Sequence, residues 1–441
     1  MTQHNHEFQE PDDASAVQGF PHLRAPLTMF SRRDFLVSTA LTSALALIGA
    51  VSWAEKPQEK PRIGFIYPES GTTGVEARSF MAGFRMSFDK ENQCPVDVLT
   101  KSYKDNTDEM TGAVDEWTKE GKILLVVLFG DAEGTAKAIR SCAQAKSLLF
   151  VTNRSVRLVS GEVCGPNVFR VSPNNYVLSE PLAPWAIQNV GTKVFVTGTN
   201  DVDCNEQCDF FAFGFERSGG GFADRLMCDG AVESVNSIIS AIKNSEADFV
   251  FACFGDENAG NFLKAFHFQD PKSRKKIIGP GSLTSLVVKE KFGSDVIMNI
   301  PTLTTVINPD SIISKAGGAS GTGPFSVDRI SEGYNLGQVV KMLAKSNLLA
   351  SEDFGAVSKA ILTSKYDGLN GAFTFDKNQD IVSDSWVTKW EISSGGGPSQ
   401  KILAALGASA SLDFGCGKVG FPNRHEAESM DDEAVWEENS R

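Results

Sequence analysis

Histidine is scarce in this sequence, and so are the short motifs that mark common enzyme classes. Of the five histidines in 441 residues, only His267 and His425 follow residue 54. The chain has no Gly-x-Ser-x-Gly elbow, no His-Glu-x-x-His motif and no Gly-Lys-Ser loop, and its first loop, YPESGTTG, lacks the dinucleotide fingerprint. These absences argue against an enzyme, although acid–base catalysis by carboxylates requires none of these motifs.

An excess of positive charge is also missing. Lysine and arginine number 42 against 55 aspartates and glutamates, which gives a formal net charge of −13. Nucleic acids and anionic membrane surfaces are bound through basic patches. The acidic balance therefore argues against both of them as partners.

Long apolar runs are lacking as well, with the exception of residues 35–54. A bilayer crossing needs about 20 predominantly apolar residues, and serine and threonine dilute this run. Arg32 and Arg33 precede it in a pattern that resembles the twin-arginine export signal, and Ser-Trp-Ala at 52–54 fits a cleavage site. We predict a signal peptide over residues 1–54, export to the periplasm by the twin-arginine machinery and cleavage after Ala54; an uncleaved anchor is the alternative.

The eight cysteines all lie in the predicted mature chain, where an oxidising compartment permits disulfides. Cys142 and Cys164 flank a short segment, and we expect them to pair. Cys204, Cys208 and Cys228 are spaced in a way that raises the question of a metal site, but no histidine lies near them. We expect disulfides or free buried thiols there, and no metal.

Short apolar strands alternate with helix-like segments from residue 62 onwards. KILLVVLFG at 122–130 is continuously apolar, as in a parallel strand buried on both faces. The alternation begins again at Tyr176, so we predict an α/β fold with two doubly wound parallel-sheet lobes. Ligands sit beyond the carboxyl ends of such strands. The candidate loops are 68–73, 130–135, 152–157, 199–204, 254–258 and 279–283.

The last part of the chain differs from the rest. Residues 369–392 are typical of two strands joined by a turn, and three glycines follow at 395–397. Aspartate and glutamate dominate residues 426–441. We predict that residues 401–441 form an acidic, mostly disordered tail.

Several segments resemble, in the correct order, the type I periplasmic binding proteins of ABC transporters, in the branch that binds branched-chain amino acids and amides. They are RIGFIYPESG, GPNVFRVSPNNY, ADFVFACFGDENAGNFLKAF, SEGYNLGQVVKML and LNGAFTFDKNQDI. The resemblance covers roughly residues 61–392. Each motif is weak by itself, and five in order behind an export leader make a specific pattern.

The resemblance implies two lobes that are joined by three crossovers and close on a ligand. Lobe one would hold residues 61–174 and 305–362, and lobe two would hold residues 175–304 and 370–400. The crossovers would lie near residues 170–176, 301–308 and 362–370. The implied function is an extracytoplasmic solute-binding protein that delivers a small organic ligand to the permease subunits of an ABC importer. The alternatives are a periplasmic sensing accessory and, less well supported, an exported enzyme.

The loops depart from the amino acid binders of this family. Those proteins hold the ligand carboxylate with a Gly-x-x-Ser-Ser loop, where this sequence has FGDAEGT at 129–135. They hold the ligand ammonium with the glutamate of Gly-Pro-Glu-Gly, where this sequence has Gly-Pro-Gly-Ser at 279–282. A buried charge without a partner is unfavourable. We therefore expect a ligand that does not resemble leucine.

Three kinds of side chain could replace the two loops with which the amino acid binders hold the ligand carboxylate and the ligand ammonium. Arg154 and Arg157 could face an anion. The acids Asp201, Asp203, Asp256 and Glu257 could take a cation or sugar-like hydroxyls, and Phe129, Phe150 and Phe254 could form an apolar wall. We expect no cofactor and no catalytic residue. The candidate ligand-binding residues are Ser70, Asp131, Thr135, Asn153, Arg154, Asp203, Phe254, Asp256 and Ser282.

Overall fold

The structure is a computed structural model. It describes residues 60–88, 93–104, 107–119, 123–143, 147–157, 165, 167–269, 274–316 and 326–411. The predicted leader, with Arg32 and Arg33, lies outside the described residues. Cys164 and the side chain of Cys142 also lie outside them, so their pairing stays a prediction.

The first sheet is parallel and is built from the amino-terminal part of the described chain. Its strands are β1 (Arg62–Pro68), β2 (Asp97–Tyr103), β3 (Ile123–Leu128), β4 (Leu148–Val151) and β5 (Val168–Arg170), in the order β2-β1-β3-β4-β5. Its helices are α1 (Gly71–Met86), α2 (Thr107–Lys119) and α3 (Ala132–Ala143). Every residue of β3 is buried, because helices cover both faces of this central strand.

The second sheet repeats the pattern. Its parallel strands are β6 (Lys193–Thr199), β7 (Gly221–Cys228), β8 (Phe249–Cys253), β9 (Lys276–Pro280) and β10 (Thr302–Thr304), in the order β7-β6-β8-β9-β10. Its helices are α4 (Leu182–Asn189), α5 (Val202–Arg217), α6 (Val232–Asn244), α7 (Asp256–His267), α8 (Leu286–Phe292) and α9 (Pro309–Lys315). The carboxyl ends of its strands are therefore also gathered along one edge.

Antiparallel strands extend the second sheet. They are β11 (Tyr366–Gly368), β12 (Gly371–Phe375), β13 (Ile381–Ile392) and β14 (Pro398–Ala408), and β13 pairs with β10, β12 and β14. We correct one prediction here, because residues 401–408 belong to β14 and not to a tail. Gly396, with φ of +85°, allows the tight turn that brings β14 back onto β13. Residues from 412 onwards lie outside the described residues.

Two later helices complete the layer beside the first sheet. These are α10 (Val327–Lys345) and α11 (Phe354–Thr363). Helix α10 crosses α1 at two glycines: a Cβ atom on Gly83 would lie 1.9 Å from the carbonyl oxygen of Ile330, and one on Gly333 would lie 1.9 Å from that of Phe80. Backbone therefore contacts backbone at this crossing.

The chain passes between the two sheets several times. It leaves the first sheet after β5, returns from β10 to α10, and joins the second sheet again through β11–β13. Phe375 of β12 packs against Phe169 of β5, with ring centroids 5.6 Å apart. The hairpin thus contributes to the apolar core of the first lobe while its strands pair with the second sheet. None of the helices in the described part of the chain combines the length and apolar character that a bilayer crossing needs.

Candidate ligand-binding site

Two cavities lie where the loops of the two lobes face each other. The aspartate cavity has a volume of about 410 Å³ and is lined by strand-end loops of the first sheet and by residues 201–203 of the second lobe. The hydroxyl cavity, of about 330 Å³, is lined from the second lobe by Ser282, Thr284, Ser285, Thr302 and Thr304. Both cavities are also lined by Glu76 and Arg154, so they are neighbouring parts of one cleft.

Three aspartates line the aspartate cavity. Asp131 follows β3, and its carboxylate accepts a 2.6 Å hydrogen bond from the N–H of Gly134. Asp201 caps α5 by accepting the N–H of Cys204 at 2.8 Å, and partial burial raises its pKa. Asp203 accepts a 2.9 Å hydrogen bond from the amide of Asn175. Within the described residues, none of the three forms an ion pair with lysine or arginine.

The two arginines of this cavity are already paired. Arg329 of α10 donates to Glu332 at 2.8 Å and to Glu76 at 2.9 Å. Burial opposes the charge of Arg329, but these carboxylates outweigh burial and raise its pKa. Arg154, after β4, lies 3.2 Å from Glu332. Ser172 also donates to Glu332, at 2.6 Å, so the network reaches the segment that leaves the first lobe.

The hydroxyl cavity combines hydroxyl groups with one aromatic side chain. The hydroxyls of Thr284 and Thr302 are 3.0 Å apart. The indole of Trp390 donates to the carbonyl of Thr284 at 3.1 Å, and the ammonium of Lys289 lies 4.6 Å from its ring centroid. On the first-lobe side, desolvation raises the pKa of the half-buried Asp328 carboxyl, although Arg154 opposes the shift.

A second polar cluster joins the lobes beside the aspartate cavity. Glu206 of α5 accepts hydrogen bonds from the hydroxyl of Ser155 at 2.7 Å, from the N–H of Val156 at 2.9 Å and from the amide of Asn175 at 2.9 Å. Glu206 is only 3% exposed. A helix of the second lobe thereby holds the loop that follows β4 of the first lobe.

The comparisons with known proteins agree with this architecture. A family model described as periplasmic binding protein matches residues 60–296. The chain belongs to the periplasmic binding protein family. It is a solute-binding protein and not an enzyme, and the family places it in the periplasm. Among curated protein sequences, none matches this chain.

Solved structures of type I periplasmic binding proteins share the fold, which confirms the predicted α/β class with two lobes. An ABC transporter substrate-binding protein from Sphaerobacter thermophilus is 20% identical, with a TM-score of 0.72 over 80% of this chain and 99% of that one. A solute binding protein from Rhodopseudomonas palustris, in complex with 3,4-dihydroxybenzoic acid, is 20% identical, with a TM-score of 0.67 over 79% and 97%. A leucine binding protein from Thermotoga maritima is 16% identical, with a TM-score of 0.62 over 78% and 98%.

Several candidate residues of this periplasmic binding protein line the cleft. Asp131, Asn153, Arg154 and Asp203 all line the aspartate cavity. Ser282 lines the hydroxyl cavity, and its hydroxyl donates to the carbonyl of Phe254 at 3.1 Å. The carboxyl ends of strands that are distant in sequence are therefore brought together.

Ser70, Thr135 and Phe254 line neither cavity. Ser70 is exposed at the start of α1. Thr135 is fully buried in α3, and within the described residues its hydroxyl has no hydrogen-bond partner. Phe254 is also fully buried and stacks on Phe262, with ring centroids 4.5 Å apart, so it packs in the core and does not form a ligand wall. The side chain of Asp256 lies outside the described residues.

The sequence interpretation did not identify the charged network around Arg329. Glu76, Arg329 and Glu332 lie on helices, and not in the loops at strand ends where ligands of α/β sheets are expected. The pair of Arg329 and Glu332 could have been predicted from their i, i+3 spacing on a helix. No comparable sequence pattern predicts that Trp390, on a strand of the last hairpin, lines the cleft.

The cysteines of the second lobe are buried thiols. Cys204, Cys208, Cys228 and Cys253 are free, and burial together with the neighbouring thiols of Cys204 and Cys208 raises the pKa of Cys253. Across the described part of the chain, no grouping of histidine, cysteine, aspartate or glutamate is suited to hold a metal ion.

Proposed function

We propose that this protein captures a small organic solute in the cleft and delivers it to the permease subunits of an ABC importer. The observation that carries the proposal is the pair of adjoining cavities, each of which is lined by residues of both lobes. Glu76 and Arg154 line both of them. Their volumes of about 330 and 410 Å³ suit a small organic molecule.

Closure of the lobes is the proposed working motion. A ligand that contacts both lobes favours the closed state by the difference between its affinities for the closed and open states. We propose hinges near residues 170–176, 301–308 and 362–370, between lobe one at 61–174 and 305–362 and lobe two at 175–304 and 370–400.

The proposed ligand does not resemble leucine. Asp131 lines the aspartate cavity in the loop where the amino acid binders carry serines, and it would repel a ligand carboxylate. Gly281 lines the hydroxyl cavity in the loop where those proteins carry a glutamate for the ligand ammonium. The position that would hold a ligand carboxylate and the position that would hold a ligand ammonium are therefore both altered.

A thermal-shift screen of the exported protein against small metabolites, followed by calorimetry, tests the proposal. A ligand that binds only the native state raises the unfolding midpoint. The screen should include leucine and aromatic acids, because structural relatives bind such compounds. Stoichiometric binding of a compound other than leucine, and its uptake by vesicles that contain the permease, are the expected results. Tight binding of leucine would contradict the ligand proposal.

We also propose export by the twin-arginine route with cleavage after Ala54. The support is the sequence pattern of residues 31–54. Replacing Arg32 and Arg33 by lysine should retain the precursor in the cytoplasm, and the exported wild-type chain should begin at Glu55. Cell fractionation and amino-terminal sequencing give these results. Export of the double variant at the wild-type level would contradict the route.

A further inference from the structure

The second lobe has a basic groove at the amino-terminal ends of its parallel strands. The groove has a volume of about 680 Å³ and is lined by residues 274–276 at the start of β9, by residues 298–301 before β10, and by one residue each of β13 and β14. Of the described residues, none lines both this groove and a cavity of the cleft. We propose that the acidic segment of the same chain, residues 426–438, docks in the basic groove.

Positive charge is concentrated in the basic groove, although the whole chain carries a formal net charge of −13. Its basic and acidic lining residues are Arg274, Lys275, Lys276, Lys389 and Asp295. Lys389 is paired with Glu391 at 3.2 Å, and the other three cations are consecutive in sequence. A groove with an excess of positive charge attracts an acidic peptide and repels a basic one.

Backbone carbonyls and an imidazole hold the three consecutive cations. The ammonium of Lys275 donates to two carbonyls, at 2.8 and 3.0 Å, and that of Lys276 donates to a third at 3.3 Å. A guanidinium nitrogen of Arg274 lies 2.7 Å from Nδ1 of His267. Among the residues that the structure describes, no carboxylate forms an ion pair with any of the three. Their positive charges are therefore available to the carboxylates of another segment.

The groove also offers apolar contacts that suit an aromatic side chain. Trp185 of α4 is half-buried and Leu403 of β14 is exposed, and both line the groove. Residues 426–438, EAESMDDEAVWEE, hold seven acidic side chains and no lysine or arginine, with Val435 and Trp436 among them. A segment of this composition matches the groove twice, because its carboxylates complement the cations and Trp436 complements the apolar side chains.

The length of the chain allows the acidic segment to return to the groove. Leu403 lines the groove, and Ser411 follows it by eight residues, which span at most about 29 Å. Residue 426 is another 15 residues along the chain, and these span up to about 50 Å when extended. Tethering gives the segment an effective concentration on the order of 1 mM, so contacts too weak to join separate molecules suffice.

Carbodiimide cross-linking of the full-length exported protein tests the proposal, because this reagent joins a carboxylate to a lysine amine only where the two are in contact. We expect cross-links from residues 426–438 to Lys275, Lys276 and Lys389, identified by mass spectrometry and lost in high salt, where charge attraction is screened. Exposed Lys359 of α11 is the internal control and should form none. A mixture of isotope-labelled and unlabelled chains distinguishes docking within one chain from docking between two.

The double variant Arg274→Gln/Lys276→Gln measures the contribution of the charges. It keeps Lys275, whose contacts with carbonyls belong to the fold. The variant should lower the yield of the remaining cross-links by about fivefold, the effect expected of two exposed charge contacts. Lys359→Gln/Lys365→Gln is the matched control, since it removes two exposed lysines that do not line the groove, and it should leave the yield unchanged.

Three results would each overturn the proposal. They are equal cross-linking to Lys359 and to the groove lysines, an unchanged yield in the Arg274→Gln/Lys276→Gln variant, and links that join labelled to unlabelled chains. The last of these would assign the groove to a second copy of the chain. Absence of any cross-link from residues 426–438 would contradict the proposal as well. Solute capture in the cleft is a separate question, because the groove and the cleft have no lining residue in common in the described part of the chain.

Discussion

The guanidinium of Arg170 donates to the carboxylate of Asp380 at 3.0 Å, and both side chains are almost completely shielded from solvent. Arg170 ends β5 of the first sheet, and Asp380 precedes β13 of the second. The backbone N–H of Arg170 also donates to the carbonyl of Gln379 at 2.9 Å, and the amide of Asn174 donates to Asp380 at 2.9 Å. The ion pair therefore joins the end of β5 to the turn between β12 and β13.

Removing one member of this pair should destabilise the protein strongly. Arg170→Met leaves the buried carboxylate of Asp380 without its cation, and we expect the free energy of unfolding to fall by about 3–5 kcal/mol. The double variant Arg170→Met/Asp380→Leu should be less destabilised than either single variant, because no buried charge remains. Urea unfolding of the four proteins forms a double-mutant cycle. Additive effects would show that the two side chains do not depend on each other.

The glycines at the crossing of α1 and α10 should not tolerate a methyl group. Gly83→Ala places a Cβ atom within 1.9 Å of the carbonyl oxygen of Ile330, so the helices must separate. We expect a loss of about 1–3 kcal/mol or more, in the range of overpacked cores. Gly112→Ala is the control, since Gly112 is exposed in α2 and a Cβ there meets nothing within 4 Å. It should be neutral or stabilising, by up to about 1 kcal/mol.

Thermal unfolding of the two alanine variants gives the comparison. Equal unfolding midpoints for Gly83→Ala and Gly112→Ala would show that the two helices can move apart at the crossing without loss of stability.

The loop after β4 should depend on the carboxylate of Glu206. Glu206→Gln replaces an acceptor oxygen by a donor that faces the N–H of Val156 or the hydroxyl of Ser155, so hydrogen bonds to a charged group are lost. We expect destabilisation by about 1.5–3 kcal/mol and faster amide hydrogen exchange in residues 155–157. Glu290→Gln, at an exposed position of α8, should change the free energy of unfolding by less than about 0.5 kcal/mol. Unchanged exchange in the Glu206 variant would contradict this role.

Asp376 should give the stability of this protein a measurable pH dependence. Burial, with a contribution from the nearby Asp380, raises the pKa of Asp376 to about 6, against 3.8 as its ordinary value. Between these pH values the folded protein holds a proton that the unfolded chain has lost, so stability falls as pH rises from about 4 through 6. The loss at neutral pH reaches at most about 3 kcal/mol.

The comparison with Asp376→Asn isolates this effect, because the other titrating groups are common to both proteins. Between pH 4 and pH 7, the free energy of unfolding should fall more in the wild type than in the variant. A constant difference in stability between the two proteins does not affect this comparison. Urea unfolding over this range measures the difference. A difference between the two proteins that does not change with pH would contradict the raised pKa.

The sequence was sufficient to predict the parallel core of both lobes. Continuous apolar runs such as 122–130 can bury both faces only inside a covered sheet, and β3 is buried throughout. The loops at strand ends were predictable for the same reason, and Asp131 and Asp203 both line the cleft. The order of five weak motifs was sufficient to predict the family.

The remaining features depend on contacts between distant segments. Phe254 follows a buried strand, and no local pattern distinguishes a ring that faces a ligand from one that stacks on Phe262. Glu206 lies one turn into α5, and its partners are 31 to 51 residues away in sequence. Strand β14 is half exposed and follows three glycines, so its pairing with β13 is set by the partner strand and not by its own composition.

The crossing of α1 and α10 also bears on how fast a solute can be taken up. Glu76 and Arg329 project from these two helices, and their backbones meet at Gly83 and Gly333, where no side chain can change rotamer and loosen the contact. The wall that these two helices would offer to a bound solute is therefore held in place by backbone contacts. If the proposed function holds, we expect encounter and lobe movement, rather than ordering of this wall, to limit the rate of capture.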